Sequence, residues 1–201
     1  MHGLQRAPRF RHNMRMNSTP VHMPYWQDTV FPSLTPLQKH WLQRPGALTG
    51  GLRQLGRLDL RVIREYGCGA PADEATSLQL PTRAPVWVRE SVMAIDGTDV
   101  VAARSLTPLA ASHSVWQGIR RLMARPLADM LYHDRTITRS PFAICRLRSP
   151  VALQAALRLQ DPVQAARNDL LARRSVFWRY GQPLMVAECF LPAFWTKAVK
   201  L

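Results

Sequence analysis

The chain is short of cysteine, acid and lysine and has no long apolar run, and each shortage removes a class of protein. Its three cysteines, Cys68, Cys145 and Cys189, are odd in number and form no Cys-x-x-Cys pair. That argues against a disulfide scaffold and against a structural zinc site. The six histidines (His2, His12, His22, His40, His113, His133) show no metal-ligand spacing. The most apolar stretch, Leu184 to Trp195, is broken by Glu188 and Pro192 and falls short of the roughly 20 apolar residues of a membrane span. Met1 to Pro20 carries Arg6, Arg9, Arg11 and Arg15 without the apolar core of a secretory signal, although an arginine-rich, acid-free start also suits an organelle presequence. No G-x-G-x-x-G or P-loop occurs, so nothing points to a nucleotide cofactor. A soluble, cytoplasmic protein is expected.

What is present suits one domain. At 201 residues, 47% of them hydrophobic and six of them Trp, the chain can bury roughly two thirds of its unfolded surface. The net charge of +14 comes from 24 Arg and 3 Lys against 13 acids. A nucleic-acid binder uses such charge along phosphates, whereas an enzyme for a small dianion uses it for steering and keeps one or two Arg for contact. The basic residues form no concentrated stripe and the aromatics sit in apolar strands, which argues against nucleic acid.

Residues 1–34 carry Pro8, Pro20, Pro24 and Pro32 with no periodicity and read as a basic, poorly ordered extension. A domain over 35–195 follows, then a short tail at 196–201. Thr35 and Pro36 are a plausible N-cap and first position for a short helix through Leu42, and Gly50-Gly51 reads as a loop. Leu58, Leu60 and Val62 alternate with Asp59 and Arg61, giving a strand over 57–66. Pro85–Ile95 and Val100–Leu106 flank Asp96-Gly97, a strong hairpin signal. Helical patterns follow at 114–124 and 127–133, separated by Arg125-Pro126. A strand is expected at 137–147, a helix over 150–172, and a second hairpin from 175–180 and 184–191 around Gly181-Gln182. Hairpins with inserted helices predict a single α+β domain with a largely antiparallel sheet.

Charges inside apolar strands carry the functional information. Glu188 sits in a strand whose two faces are both apolar, where a carboxylate is costly unless paired. It is either half of a structural ion pair or a site residue. In the Val86–Val92 run the neighbours Arg89 and Glu90 point to opposite faces. Arg104 is a third misplaced charge. An Arg on a rigid strand suits bidentate carboxylate recognition, and a cross-strand Arg–Glu pair is the alternative for Glu90 or Arg104.

Around these residues the sequence resembles the bacterial chorismate lyase family. Four blocks carry the likeness: Val62-Ile63-Arg64-Glu65; Trp87-Val88-Arg89-Glu90 with Asp96-Gly97 and Ala103-Arg104; Arg125-Pro126-Leu127; and Arg173-Arg174-Ser175 through Gly181-Gln182-Pro183-Leu184 to Ala187-Glu188-Cys189-Phe190-Leu191-Pro192. The resemblance spans about residues 37–194. It implies an antiparallel α+β domain whose helical flaps cover an internal site, elimination of pyruvate from chorismate to give 4-hydroxybenzoate, and the first committed step of bacterial ubiquinone biosynthesis. It implies no metal or organic cofactor. Arg89 matches the family's substrate-binding Arg, Glu188 its site carboxylate and Leu127 a ligand-contacting Leu. Leu48 falls where the family has Met. Arg89 is expected to clamp a substrate carboxylate, while Glu188 binds the ring hydroxyl and assists proton transfer. The helices flanking Arg125-Pro126 become candidate flaps, and a monomer is expected. Two other functions are weighed beside this one. A non-catalytic effector-sensing domain of the same fold would normally follow an N-terminal helix-turn-helix, for which residues 1–34 are too short and too rich in proline. A basic RNA-associated protein would show salt-sensitive retention on nucleic acid.

Overall fold

The computed structural model describes residues 26–147 and 151–199. Residues 1–25 of the expected extension, residues 148–150 and the last two residues lie outside it.

Alternating apolar residues build one seven-stranded antiparallel sheet. Strands β1 (Leu58–Gly69), β2 (Pro85–Ile95) and β3 (Thr98–Pro108) form a meander. Strands β4 (Thr138–Arg139), β5 (Ala143–Arg146), β6 (Leu171–Arg179) and β7 (Gln182–Phe190) complete the order β1-β2-β3-β7-β6-β4, with β5 also paired to β6. The expected hairpin at Asp96-Gly97 is present. Both residues have positive φ, 50° and 76°, as a type I′ turn requires to match strand twist. The second hairpin turns on Tyr180-Gly181, at φ 49° and 72°, one residue earlier than the Gly181-Gln182 turn expected. The β1–β2 ladder contains one irregularity, a bulge at Ile63 between Val62 and Arg64.

The two sheet faces are covered differently. On one, Val88, Ala102, Leu106, Met185, Ala187 and Cys189 pack with α3 (Ala72–Ser77), α5 (Ala152–Gln160) and α6 (Pro162–Ala165) through Ala75, Leu78, Leu153, Leu157 and Ala165. The other face carries two separate apolar clusters. At one end α1 (Pro36–Gln43), α2 (Leu48–Leu52) and α7 (Pro192–Ala198) bring Trp41, Leu52 and Phe194 onto Met93, Val101 and Phe190. At the other, 3-10 turns at Ala111–His113 and Gln117–Arg121 and the short α4 (Ala128–Leu131) seat Trp116, Ile119 and Leu131 on Trp87, Phe177 and Leu184. Burying aromatic rings this way contributes roughly 1.5–3 kcal/mol per side chain. Between these clusters the sheet is left for a cavity.

Several sequence expectations shift. Thr35 and Pro36 do start α1, and Gln38 completes a capping box with Thr35. The extension drawn through residue 34 ends earlier among the described residues: Gln27 bridges to Ile144, Leu34 is buried, and Trp26, Val30 and Phe31 pack on the core. Apolar side chains spaced between prolines need no periodicity to dock on a preformed surface. The first three residues of the tail drawn from 196 belong to the last helix, which runs to Ala198. Gly50-Gly51 lies inside α2, where a Cβ on Gly51 would meet Trp41 at 2.7 Å. The helix expected at 114–124 is a pair of 3-10 turns with no side-chain caps, and the one at 127–133 is a single turn. The long helix expected over 150–172 breaks at Asp161-Pro162. The residue before Pro is driven to extended φ/ψ (−145°, 90°) and becomes the cap of α6. Strand β6 then begins at Leu171, four residues before the expected start.

Candidate active site

Four adjacent strands place small residues side by side and set larger charged ones at the corners. In the ladder, Arg89 of β2 lies opposite Ser105 of β3, which faces Val186 of β7, which faces Ser175 of β6. One row along, Ser91 faces Ala103, then Glu188, then Arg173. All eight side chains line one cavity. Its walls are Ala47, Leu48 and Thr49 at the start of α2, Pro126 to Ala128 with Leu131 and Tyr132 around α4, and Phe142. The floor is low because Ser and Ala occupy it, so the space above stays unfilled.

Arg89 is 3% exposed. Its Nη1 donates to Glu65 Oε1 at 2.8 Å, and its Nη2 donates to the carbonyls of Met123 at 2.5 Å and Arg125 at 3.3 Å. The guanidinium therefore ties β1, β2 and the segment leading into α4 together, with Nε–H and one Nη1–H left over. Glu188 accepts from Arg173 Nε at 2.7 Å. Arg173, itself 1% exposed, gives its Nη1 to the carbonyls of Trp41 at 2.9 Å and Arg44 at 3.2 Å. Its guanidinium lies 4.3 Å from the Phe142 ring centroid. Both alternatives for Glu188 thus hold at once: it has an ion-pair partner and it lines the cavity. Arg89 and Glu188 share the cavity without pairing to each other. Ser91, Ser105, Ser175 and Thr49 are all at least nine-tenths buried. Their hydroxyls have no hydrogen-bond partner among the described residues, which leaves polar capacity for a ligand.

Glu90 and Arg104 fall on the opposite face of the sheet. Arg104 donates to Glu74 through Nε at 2.7 Å and Nη2 at 2.9 Å, to Tyr66 at 2.8 Å, and to Glu90 at 2.5 Å. Glu90 also receives Arg64 and the Tyr66 hydroxyl. Burial raises the Glu90 carboxyl, but hydrogen bonds from Arg64 and Tyr66 and the Arg104 charge outweigh it and hold the group below the ordinary glutamate value. None of the groups in this network lines the cavity. Arg174, next to Arg173, also points away from the cavity and stacks 4.2 Å from the Trp26 ring centroid. Burial lowers its guanidinium to about 10.

All four residues singled out from sequence, Arg89, Glu188, Leu127 and Leu48, line the cavity. Arg173 and the hydroxyls were missed. The signal for Arg173 was available: two arginines in an apolar run before Ser175 can only alternate between faces, provided the strand is started at Leu171. Among the described residues no helix is long and apolar enough to cross a membrane.

Comparison with known proteins agrees with this architecture. The family model described as chorismate lyase matches residues 22–200. A protein of Bordetella pertussis named "Probable chorismate pyruvate-lyase" is 58% identical over 86% of this chain and 91% of its own length. One of Bordetella avium with the same name is 60% identical, over 82% of this chain and 81% of its own. A "Probable chorismate pyruvate-lyase 1" of Pseudomonas fluorescens is 42% identical over 86% and 92%. Among solved structures, the PhnF C-terminal domain aligns with a TM-score of 0.50 over 70% of this chain and 87% of its own at 15% identity, a likeness of fold alone. With the family model covering nearly the whole chain and relatives this similar along their length, the chain belongs to the chorismate lyase family.

Proposed function

We propose that this protein is a chorismate lyase, in which Arg89 and Glu188 hold and orient chorismate inside the cavity. The observation that carries the reading is the sharing of one cavity by a buried guanidinium and a carboxylate that are not locked to each other. Chorismate has a ring carboxylate, a ring hydroxyl and an enolpyruvyl ether. In the reaction the ether C–O bond on the ring side breaks and its electron pair leaves with the enolpyruvyl oxygen. The adjacent ring carbon, which bears the hydroxyl, loses its hydrogen as a proton, and the C–H electrons complete the aromatic ring. The departing enolate takes a proton on carbon and becomes pyruvate.

Aromatisation drives this chemistry, so the protein mainly positions the substrate and polarises it. Holding reacting groups in productive geometry lowers a barrier by as much as roughly 7–11 kcal/mol. Arg89 supplies charge-assisted donors to a carboxylate. Glu188, fixed in orientation by Arg173, accepts from the ring hydroxyl and assists the proton transfer. Leu48 and Leu127 close the apolar walls over the ring. The Met123 and Arg125 carbonyls that accept from Arg89 anchor the cover to the substrate-binding residue, so that water is excluded once the ligand is in place.

Purified protein incubated with chorismate is expected to release equimolar 4-hydroxybenzoate and pyruvate, followed by the absorbance of the aromatic product. Arg89→Ala should mainly raise KM, and Glu188→Gln should mainly lower kcat. Wild-type kinetics in both variants would remove the assignment.

A further inference from the structure

The same cavity holds a second guanidinium that the reading above leaves with only a supporting role. The geometry points to Arg173 and Ser175 as a second carboxylate subsite, which receives the enolpyruvyl carboxylate while Arg89 receives the carboxylate of the ring; the assignment rests on the proposal that chorismate is the substrate.

The argument starts from strand register. Arg89 and Ser91 are two residues apart on β2, and Arg173 and Ser175 are two residues apart on β6. The two strands run in opposite directions across β3 and β7. Arg89 therefore shares its row with Ser175, and Ser91 shares its row with Arg173. The result is an approximate two-fold arrangement of two Arg-x-Ser units over a floor of small side chains. By strand spacing the two arginine Cα atoms stand roughly 14 Å apart across the sheet and one row, roughly 7 Å, along it. Two long side chains converging from such corners bracket a small dianion.

Donor accounting agrees. The Nε–H of Arg173 goes to Glu188 and its Nη1 serves two backbone carbonyls. Its Nη2 makes no hydrogen bond among the described residues, although the residue is 1% exposed and lines the cavity. The Ser175 hydroxyl is 4% exposed and equally unpartnered among those residues. A buried cation has strong reason to keep such donors satisfied, and a carboxylate is the acceptor that fits a guanidinium edge. Glu188 does not neutralise the site, because the cavity also contains Arg89, whose charge is shared with the half-exposed Glu65.

Ligand geometry then decides which carboxylate goes where. Glu188 and Arg173 are neighbours. If Glu188 takes the ring hydroxyl, the ring carboxylate lies para to it and reaches the far corner at Arg89. The enolpyruvyl ether lies ortho to that hydroxyl, which places its carboxylate beside Glu188, at Arg173. This subsite also confers specificity: a ligand with one carboxylate uses Arg89 alone.

The test compares two unreactive ligands by equilibrium binding to the intact protein. One is 4-hydroxybenzoate. The other is a benzoate carrying the enolpyruvyl ether at the meta position, which keeps both carboxylates. In Arg173→Gln the dicarboxylate should weaken at least tenfold, while 4-hydroxybenzoate stays within about threefold of wild type. Arg173→Lys should recover part of the dicarboxylate affinity. Arg89→Gln should weaken both ligands. Because Arg173 also supports backbone carbonyls, Ser175→Val provides a second variant that keeps the guanidinium and fills the subsite; it too should lose the dicarboxylate selectively. Equal loss of both ligands in folded Arg173→Gln and in Ser175→Val, or no loss in either, overturns the subsite. Failure of wild-type protein to convert chorismate, with selective dicarboxylate binding intact, overturns the lyase reading and leaves the subsite standing.

Discussion

Removing Arg104 tests whether the buried network on the far face of the sheet stabilises the fold. Arg104→Met keeps the length and apolar volume of the side chain but deletes its charge. Glu90, fully buried, still has Arg64 and Tyr66. Glu74, with a side chain only 2% exposed, loses both of its hydrogen bonds to Arg104. Burial already raises its carboxyl, and with only the charge of Arg174 left nearby it must remain ionised without a hydrogen-bonded counter-ion or take up a proton. Stripping one partner from a buried ion pair costs roughly 3–5 kcal/mol. The protonation route leads to a similar figure. Carrying a carboxyl from its ordinary value near 4.3 to neutrality at pH 7 costs about 3.8 kcal/mol, at ~1.4 kcal/mol per pH unit. For a chain of this size that corresponds to a fall in Tm of roughly 6–20 °C. Urea unfolding followed by tryptophan fluorescence measures the loss. The deficit should shrink by about 1.4 kcal/mol per unit as pH is lowered towards 5, since protonating Glu74 becomes cheaper. The double variant Arg104→Met/Glu74→Gln should recover at least half of it. A deficit below about 1 kcal/mol, or one that does not change with pH, refutes the reasoning.

Other consequences are open to direct measurement. Because Glu90 lies below its ordinary value when folded, the stability it contributes is present above that value and lost as pH falls through and below it. Acid unfolding should therefore be less steep in Glu90→Gln than in wild type, and identical profiles would contradict the assignment. Gly56 has φ +149°, and a Cβ there would sit 2.5 Å from Asp96 Oδ2 and 2.8 Å from Ile95 Cγ2. Gly56→Ala should lose more than about 1 kcal/mol in chemical denaturation. Of the three thiols, burial pushes Cys145 up to about 12 and Cys189 higher still, while Cys68 is only half-buried. A thiol reagent should label one cysteine in the native protein and three after unfolding; rapid labelling of all three would show that the sheet opens.

The sheet was legible because its signals are local. Asp-Gly between alternating runs needs no tertiary partner to turn, and Arg89 and Glu188 stand out against apolar neighbours in their own strands. The cover of the cavity was less legible. Around Ser114–His133 the helical period is real, but Gly118, Pro126 and missing caps leave only short turns, held by Trp116 and Ile119 against the sheet. Which of Arg89 and Glu90 faces the cavity was undetermined from the chain alone, since alternation fixes only that they differ. The same ambiguity hid Arg173, whose partner Glu188 is 15 residues away. Trp26 and Leu34 were misassigned to the extension because docking onto a finished surface leaves no period to read.

The bulge at Ile63 has a consequence for how β1 finds its place. Before it, Val62 lies opposite Ser91; after it, Arg64 meets Glu90 and Glu65 meets Arg89. Were Ile63 paired in the ladder rather than bulged out, the earlier alignment would continue and set Arg64 against Arg89. A slip the other way would set Glu65 against Glu90. Like charges directly across a ladder repel, so both neighbouring alignments are penalised and only the bulged one satisfies all four groups. Deleting that single isoleucine would instead close the bulge and run the ladder straight from Val62 opposite Ser91 to Arg64 opposite Glu90, so the charged partners survive its loss and a residue inserted after Arg64 is the change that would separate them.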